Sequence, residues 1–349
     1  MSASAPASFE LREGGEAQPR HFARRLAQSS LLRVLVRRLL AAIPVMWGVT
    51  FLTFLVMNLV PGNVARSLLG ATATPAQVDH YEAQLGLNHP FFTLYGNWLG
   101  NVLQGNFGNS YSSHAPVTST IASQLPVSFE LIAYAFIISL VVSFPLALLA
   151  ARRPNGIIDR LSMAFSMAGV SIANYVLAVV LVWVFADVVS VFPAIGFVSI
   201  GANFGENLRS LTLPAIAVGV PLAGFYTRLL RADLLEQMQR EDYVITARAK
   251  GIGPWRVIIR HALRNSLFGL ITVIALNFGT LLGAAVIIEQ IFSLPGLGNG
   301  LIQAIGNHDT PVIEATVLIF ALMTVAGNLL ADVLYAILDP RIRYGSTAE

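Results

Sequence analysis

Six unbroken apolar blocks constrain the fold of this chain more than any other feature of its sequence. The blocks span residues 39–60, 129–151, 163–192, 211–230, 267–288 and 312–337. A helix needs about 20 consecutive apolar residues to cross the hydrocarbon layer of a bilayer. The chain is only 12% charged, about half the charged fraction of a soluble domain. We therefore expect an all-α integral membrane protein with six transmembrane helices, the third of which is long enough to tilt or to extend past the membrane.

The lysines and arginines indicate the direction in which these helices cross the membrane. All of the 22 cations except Arg66 and Arg209 fall in segments that the six blocks place on one side. Cytoplasmic loops are enriched in Lys and Arg, so this side is expected to be the cytoplasm. We predict a multi-pass protein of the cell (inner/plasma) membrane, in contact with lipid, with both termini in the cytoplasm. Because topology explains the net charge of +3, no nucleic-acid partner is needed.

Changes in composition divide the chain into segments. Residues 1–30 are small, polar and basic, without the apolar core of a signal peptide, and are expected to form a mostly disordered cytoplasmic tail that can include a short amphipathic helix near residues 21–26. Residues 31–60 contain the first transmembrane helix, and residues 61–126 form an external helical insertion. Residues 127–344 are expected to form a core of five transmembrane helices with a cytoplasmic loop at 236–265, followed by a tail at 345–349.

The external insertion carries its own helix signals. Thr74, Pro75 and Gln77 match an N-cap, a first-turn proline and the glutamine of a capping box, and Gly86 is expected to end that helix. Farther along, apolar residues recur at the spacing of one helix face: Phe91, Leu94, Tyr95, Trp98, Leu99 and Val102. An aromatic amphipathic helix suits the outer membrane interface. It would either pack against the ends of the transmembrane helices or contact a partner protein.

Residue patterns for several classes of catalysis are missing from the sequence. The chain has no cysteine, and its only lysine, Lys250, does not stand in a phosphate-binding P-loop. The six histidines lie outside the apolar blocks and form no H-E-x-x-H zinc motif. Ser171 lacks the second glycine of a serine-hydrolase elbow, and no histidine in the membrane could activate it. We therefore predict a chain that is not an enzyme, with no catalytic residue, metal ligand or cofactor of its own.

A few polar side chains fall within the apolar blocks. Asp187 and Asp332 lie near the ends of the third and sixth blocks, and Asn277 lies inside the fifth. A carboxylate at the centre of a bilayer costs about 2.5–3.5 kcal/mol, so such groups usually face the protein interior. Two interpretations stay open: these residues bond one helix to another, or they line a polar pathway. A pathway within this chain alone would support an alternative function, that of a self-contained secondary carrier or channel.

The cytoplasmic loop holds the most informative local pattern of the chain. Asp242 is suited to cap a short helix that runs to Lys250, and Gly251 to end that helix in the left-handed conformation. Pro254 then starts a second helix with an apolar and a basic face, formed by Trp255, Ile258, Ile259 and Leu263 and by Arg256, Arg260 and Arg264. The pair is either a membrane-surface anchor or a docking knob for another protein. The small residues of such a knob would be Ala247, Ala249 and Gly251.

This loop resembles the EAA motif of the membrane subunits of binding-protein-dependent ABC importers. Ala247 and Gly251 match the second alanine and the glycine of the motif, whereas Ile245 and Thr246 replace its glutamate and first alanine. The replacement is similar to the peptide/nickel branch, whose Asp-Tyr-x-x-Thr-Ala-Arg-Ala-Lys-Gly and His-Ala-Leu-Arg-Asn segments correspond here to residues 242–251 and 261–265. The segments at 58–63, 85–87, 105–110, 289–298 and 332–341 also resemble that branch, so the resemblance covers about residues 33–344.

The resemblance is greatest to the B-type permease subunits of dipeptide and oligopeptide importers. It implies the type I importer fold and a chain that forms half of an ATP-driven translocation pathway for peptides or similar small solutes. The implied partners are a homologous second permease subunit of the C type, two ABC ATPase subunits that bind ATP and magnesium, and an extracytoplasmic substrate-binding protein. The residues implied to couple to an ATPase are Glu241, Asp242, Tyr243, Thr246, Ala247, Arg248, Ala249, Lys250 and Gly251.

Overall fold

A computed structural model describes the backbone of residues 20–59, 66, 69, 73–84, 86 and 88–338. Within these ranges it describes side chains from Val36 to Leu334, apart from those of residues 242, 245 and 248. All regular elements in this part of the chain are helices. Their bounds are α1 Arg20–Leu59, α2 Pro75–Gln84, α3 Phe91–Leu103, α4 Val117–Arg152, α5 Ile157–Ser171, α6 Asn174–Leu181, α7 Phe204–Arg240, α8 Asp242–Ala249, α9 Pro254–Val257, α10 Leu263–Ile291, α11 Leu297–Gly306 and α12 Thr310–Leu338. Two π-helical segments, Val182–Val188 and Ile258–Ala262, extend α6 and join α9 to α10.

The described helices confirm the all-α membrane fold. Five stretches are long and apolar enough to cross a bilayer, namely Val36–Leu59, Val117–Arg152, Phe204–Arg240, Pro254–Ile291 and Thr310–Leu334. A bent pair, Ile157–Ser171 with Asn174–Val188, adds a sixth crossing if it counts as one. These stretches coincide with the six apolar blocks of the sequence, because each block supplies the length that a crossing helix needs.

The third block departs from the single tilted helix that its length predicts. Helices α5 and α6 meet at an angle of 101°, with Ile172 between them in an extended conformation. A Cβ added to Gly169 would lie 3.5 Å from the Cα atom of Gly224 on α7, so the two helix backbones approach closely. The Ser166 hydroxyl also donates a hydrogen bond to the Gly224 carbonyl. These close contacts hold the end of α5 against α7. Ile172 follows α5 and is β-branched, so its own helix propensity is slightly lowered. It therefore does little to oppose the break between α5 and α6.

The end of the tail predicted at residues 1–30 is helical over more residues than the short helix near 21–26. Helix α1 begins at Arg20 and continues without a break into the first crossing stretch. The segment 20–30 contains alanine, leucine and arginine but neither glycine nor proline, so its own propensity favours extending the helix. The rest of the predicted tail, residues 1–19, and the segment 345–349 lie outside the described residues.

Helix α7 lies at the centre of the bundle and packs against α4, α5 and α10. Small residues permit these close approaches, as is usual between transmembrane helices. At Gly219 an added Cβ would lie 2.7 Å from the Ala135 carbonyl of α4. At one end of α7, Arg231 forms an ion pair with the buried carboxylate of Asp159 on α5. The bundle is therefore organised around α7, whose end leads directly to α8.

The helices of the insertion form where the sequence predicts them. The Thr74 backbone N–H donates to the Gln77 side chain over 2.9 Å, which is the glutamine half of a capping box at the start of α2. Helix α3 packs its aromatic face against α1, with Phe51 and Tyr95 at 5.5 Å between ring centroids and a 3.0 Å hydrogen bond between the Thr50 and Tyr95 hydroxyls. The aromatic residues of α3 therefore pack against the first crossing helix, which is the first of the two alternatives considered for them.

Candidate functional site

Helix α8 is a separate short helix between two crossing helices. Glu241, in an extended conformation, ends α7, and its carbonyl accepts from the Val244 N–H over 3.0 Å. The cap position is therefore Glu241, and Asp242 is the first helical residue rather than the cap that the sequence suggested. An acidic residue at either position suits the positive end of a helix dipole. The turn at Glu241 separates α8 from α7 and lets it lie on the end of the bundle.

The other end of α8 is a Schellman motif. The Ile252 N–H donates to the Ala247 carbonyl over 3.2 Å, which is the 6→1 bond of that motif, and the Lys250 N–H completes the last helical turn by donating to the Thr246 carbonyl over 3.1 Å. Gly251 stands between them with a φ of +76°, the left-handed conformation that the sequence predicts. A Cβ built on Gly251 meets no atom within 4 Å. The need for glycine here is thus conformational, since within this chain the space around it is open.

Helix α8 has an inner and an outer face. Val244 and Ala247, 0% and 5% exposed, join a cluster with Tyr226, Leu230 and Leu234 of α7 and with residues of α9. Thr246, Ala249 and Lys250 are exposed. Ala247 was expected on the docking surface, but the structure buries it, because α8 lies so close to α7 that the inner position needs a small residue. The side chains of Asp242 and Arg248 lie outside the described residues.

A polar cluster connects α8 to both of its neighbours. The Tyr243 hydroxyl donates to the Gln237 side-chain oxygen on α7 and accepts from the Asn265 Nδ2 of α10 over 2.9 Å. Burial raises the pKa of Tyr243 above its usual value, and the nearby Glu241 carboxylate raises this pKa further. Gln237 and Asn265 were not among the predicted site residues. The signal for Asn265 was its place in the 261–265 segment, whereas Gln237 carried no sequence signal.

The second helix of the loop is held against the bundle by a cation–π contact and by buried apolar side chains. The Arg152 guanidinium lies 5.0 Å from the ring centroid of Trp255, so the end of α4 contacts α9. Val257 and Ile258 are buried, but Ile259 is 54% exposed. The sequence predicts Ile259 on the same apolar face as Ile258, and this part of the prediction is wrong. The π-helical turn at Ile258–Ala262 takes more residues than an α-helical turn and shifts the phase of the pattern. The basic residues of this stretch are exposed, namely Arg256, Arg260 and Arg264.

The structure does not bring the three polar membrane residues together. Asp332 on α12 forms a 3.0 Å ion pair with Arg38 on α1 and lines a cavity of about 510 Å³ between α1, α10 and α12. Asp187 is exposed in the π-helical extension of α6 and lines a different cavity of about 450 Å³. The Asn277 amide donates to the Val273 carbonyl of its own helix over 2.9 Å. Of these residues, only Asp332 is seen bonding one helix to another.

Glu289 organises a second polar site at the far end of α10. Its carboxylate, in a residue 1% exposed, accepts from the backbone N–H of Gly298 over 2.7 Å and of Asn299 over 3.2 Å. These donors belong to the first turn of α11, so the carboxylate caps that helix at the positive end of its dipole. A Cβ on Gly296 or Gly298 would collide with the Glu289 carboxylate or the Val286 backbone. The Glu-x-x-Phe-x-x-Pro-Gly-x-Gly segment is therefore one structural unit.

Asp309 fastens the insertion to α12 in the same region. Its buried carboxylate accepts from the Ser110 hydroxyl, the Tyr111 N–H over 3.0 Å, and the Ser112 N–H and hydroxyl over 3.3 and 2.7 Å. Burial, with the Glu314 and Asp309 carboxylates nearby, raises the pKa of Tyr111 to about 12. Sequence reasoning missed this site because Asp309 and the serines are distant in the chain.

Comparison with known proteins shows what the whole chain is similar to. Residues 143–344 match the family described as "Binding-protein-dependent transport system inner membrane component", and residues 31–132 match the N-terminal part of such membrane components. A putative peptide transport system permease protein of Brucella abortus is 39% identical over 311 residues, which are 89% of this chain and 99% of the relative. The dipeptide transport system permease protein of Alkalihalophilus pseudofirmus is 36% identical over 334 residues, 90% of this chain and 100% of the relative.

A solved structure supports the fold independently. The chain is similar to one in an inward-facing structure of the MetNI methionine ABC transporter, with a TM-score of 0.51 and 17% identity. The similarity covers 63% of this chain and 96% of that chain.

Proposed function

This chain belongs to the binding-protein-dependent transport system inner membrane components, and from that membership we propose that α8 couples it to a separate ATPase. It is a permease component of a binding-protein-dependent ABC importer. The permease itself is a membrane subunit without a P-loop in its sequence. Hydrolysis of ATP, with magnesium, would therefore fall to the partner subunits.

The construction of α8 is the observation that supports this proposal most strongly. The helix is seated on the bundle by Val244 and Ala247 and leaves the small Thr246 and Ala249 exposed on its outer side. Lys250 and the open turn at Gly251 follow directly. A short helix that exposes small side chains in this way fits a groove in another protein. In this proposal, closure of two ATPases draws two such helices together and rocks the crossing helices between inward- and outward-facing states.

The remaining partners follow from the same family. Half of the pathway would come from a homologous second permease subunit of the C type, and an extracytoplasmic binding protein would deliver the substrate. The end of the bundle that carries α8 would face the cytoplasm, with both termini. The arginines at 228, 231, 240, 248, 256, 260 and 264 lie in or beside this end, in agreement with the enrichment of cations in cytoplasmic loops.

Peptides or similar small solutes are the substrates that we propose. The relatives with 36–39% identity are named for peptide and dipeptide transport. The similarity extends over 89–90% of this chain. Asp187 and Asn277 stay candidates for lining the pathway.

The assembly is tested by mild solubilisation of a tagged chain from its native membranes, followed by mass spectrometry of the proteins that co-purify. We expect a homologous permease and one or two P-loop ATPases, and ATP-driven peptide uptake after reconstitution into liposomes. The alternative function, a self-contained carrier or channel, predicts a chain that purifies alone and moves solute without ATP. That result would overturn the proposal.

The role of α8 is tested by a pair of valine substitutions. Gly251→Val places a β-branched residue at a φ of +76°, where left-handed geometry costs about 1–2 kcal/mol. We expect about tenfold lower uptake at an unchanged amount of protein in the membrane. Gly253→Val is the matched control, because Gly253 has a φ of −61° and a ψ of 149°, which suit a residue that precedes proline. Equal uptake by the two variants would contradict a role for the turn.

A further inference from the structure

One side chain of α8 bonds it to both of the crossing helices that flank it. The Tyr243 hydroxyl donates to Gln237 near the end of α7 and accepts from Asn265 near the start of α10. Asn265 Nδ2 also lies 3.4 Å from the same Gln237 oxygen. These three side chains, which we name the Tyr243 latch, form a closed hydrogen-bonded triangle. The hydroxyl of Tyr243 therefore faces its own chain and is not part of the outer face of α8.

The latch provides a directional contact that the packing of α8 does not. The inner face of α8 contributes the buried side chains of Val244 and Ala247 to the cluster, and apolar contact is non-directional. A small alanine against a helix surface can slide with little change in buried area. A hydrogen bond, in contrast, weakens steeply as its distance and angle depart from their preferred values. The latch therefore defines the position of α8 relative to α7 and α10 at the same time.

The chemistry of a tyrosine suits this double contact. A phenolic hydroxyl donates one hydrogen bond and accepts another, which phenylalanine cannot do. Since burial raises the pKa of Tyr243 above its usual value, the hydroxyl keeps its proton at neutral pH and retains both functions. The ring itself packs against the cluster around Tyr226 and Leu230, so removal of the hydroxyl leaves the packing of the ring in place.

We propose that the Tyr243 hydroxyl is a positioning contact that transmits displacement of α8 to α7 and α10 together. The proposal rests on the function proposed above, since it requires an ATPase that moves α8. Without the latch, α8 would move against the bundle, and part of each ATP-driven displacement would not reach the crossing helices. The expected defect is a loss of coupling between ATP hydrolysis and transport, with both the assembly and its ATPase activity retained.

The test is Tyr243→Phe in the complete assembly, with its partner permease, ATPases and binding protein, reconstituted in liposomes. ATP hydrolysis and ATP-driven uptake of a labelled casein digest are measured together, and the amount taken up per ATP is the readout. We expect Tyr243→Phe to lower this ratio about three- to tenfold, the size of effect expected from the loss of a net hydrogen bond. Tyr175→Phe on α6 is the matched control, because Tyr175 is 52% exposed, and its ratio should equal that of the wild type.

Two further variants separate a latch from a general loss of stability. Asn265→Ala removes two of the three hydrogen bonds, those from Asn265 to Tyr243 and to Gln237. It should lower the ratio in the same direction as Tyr243→Phe, and it provides the test if Tyr243→Phe assembles poorly. The double variant should be no worse than Tyr243→Phe alone, because that change already removes both hydrogen bonds of α8, and Asn265→Ala then removes only the bond between α10 and α7. Additive defects, or an unchanged ratio in both single variants of an active assembly, would overturn the latch alone. A wild-type chain that recovers no ATPase would overturn the proposed function, and with it the latch.

Discussion

At the scale of single residues, the glycines beside Glu289 show how a buried carboxylate dictates its surroundings. The carboxylate occupies the space in which a side chain at Gly296 would begin, whereas at Gly298 that space is taken mainly by the Val286 backbone, with a carboxylate oxygen beside it. Two backbone N–H groups of α11 bond to it, and a charge-assisted bond of this kind is about twice as strong as a neutral one. The spacing of the motif therefore reflects one geometric requirement, the close approach of the end of α10, with its capping carboxylate, to the start of α11.

A substitution at Gly298 tests this interpretation. Gly298→Ala would bring its Cβ against the Cα of Val286, and because backbone cannot move aside cheaply, we expect a loss of about 1–3 kcal/mol. The thermal unfolding midpoint of the purified protein in detergent measures the effect. Gly306→Ala, in the same helix, is the matched control, because a Cβ there meets no atom within 4 Å. Equal midpoints for the two variants would show that Gly298 is not required for packing.

The residues of the loop divide into those that local chemistry identifies and those that packing decides. The left-handed Gly251 follows from its place after a helical run, since few other residues adopt that conformation. The burial of Ala247 does not follow, because the sequence does not say which face of α8 meets α7. Gln237 belongs to the site only because the end of α7 brings it beside Tyr243.

At the scale of elements, Asp309 determines how the insertion is attached. Four hydrogen bonds from Ser110, Tyr111 and Ser112 converge on its carboxylate. The loop is further closed by the Val117 N–H, which donates to the Gly108 carbonyl over 3.0 Å. The start of α12 and the loop before α4 are thereby held together.

Asp309→Asn should loosen this attachment. An asparagine offers one oxygen and one NH₂ in place of two accepting oxygens, so some of these donors would lose their partner. We expect amide hydrogens of Tyr111 and Ser112 to exchange about tenfold faster or more, as for the loss of hydrogen bonds to a charged group. Hydrogen exchange with mass spectrometry measures this, and Asp79→Asn on the exposed side of α2 serves as control. Unchanged exchange in the Asp309 variant would mean that the loop is held by other contacts.

The third apolar block shows the limit of prediction at this scale. Its length of continuous apolar sequence predicts one helix, and the structure has two at an angle of 101°. Hydropathy reports only that a segment avoids water. The break is set by Ser166 and Gly169, which contact α7.

At the scale of the whole molecule, the distribution of cations predicts the orientation of the chain in the membrane. The chain has no cysteine, so single cysteines can be introduced without a background of other thiols. Thr246 on α8 and Asn97 on α3 are both exposed. We expect an impermeant maleimide to label Asn97→Cys in intact cells and Thr246→Cys only in inside-out vesicles, because cations concentrate on the α8 side. Labelling of both cysteines from one side would contradict the predicted topology.

The sequence by itself determined the number of apolar blocks, their all-α character and the side enriched in cations. It also determined the capping box at Thr74 and the turn at Gly251. Each of these is a property of neighbouring residues: helix length, periodicity, capping and charge are all written within a few turns of chain. The resemblance to importer membrane subunits is likewise carried by short motifs, so it does not depend on the tertiary structure.

Only the tertiary structure decided which residues from distant parts of the chain meet. It placed Glu289 at the start of α11, Asp309 among the serines of the insertion, and Tyr243 between Gln237 and Asn265. It also bent the third crossing and turned Ala247 inward. The physical reason is that these contacts depend on how closely helices approach and which faces they present, and close packing settles both for the bundle as a whole.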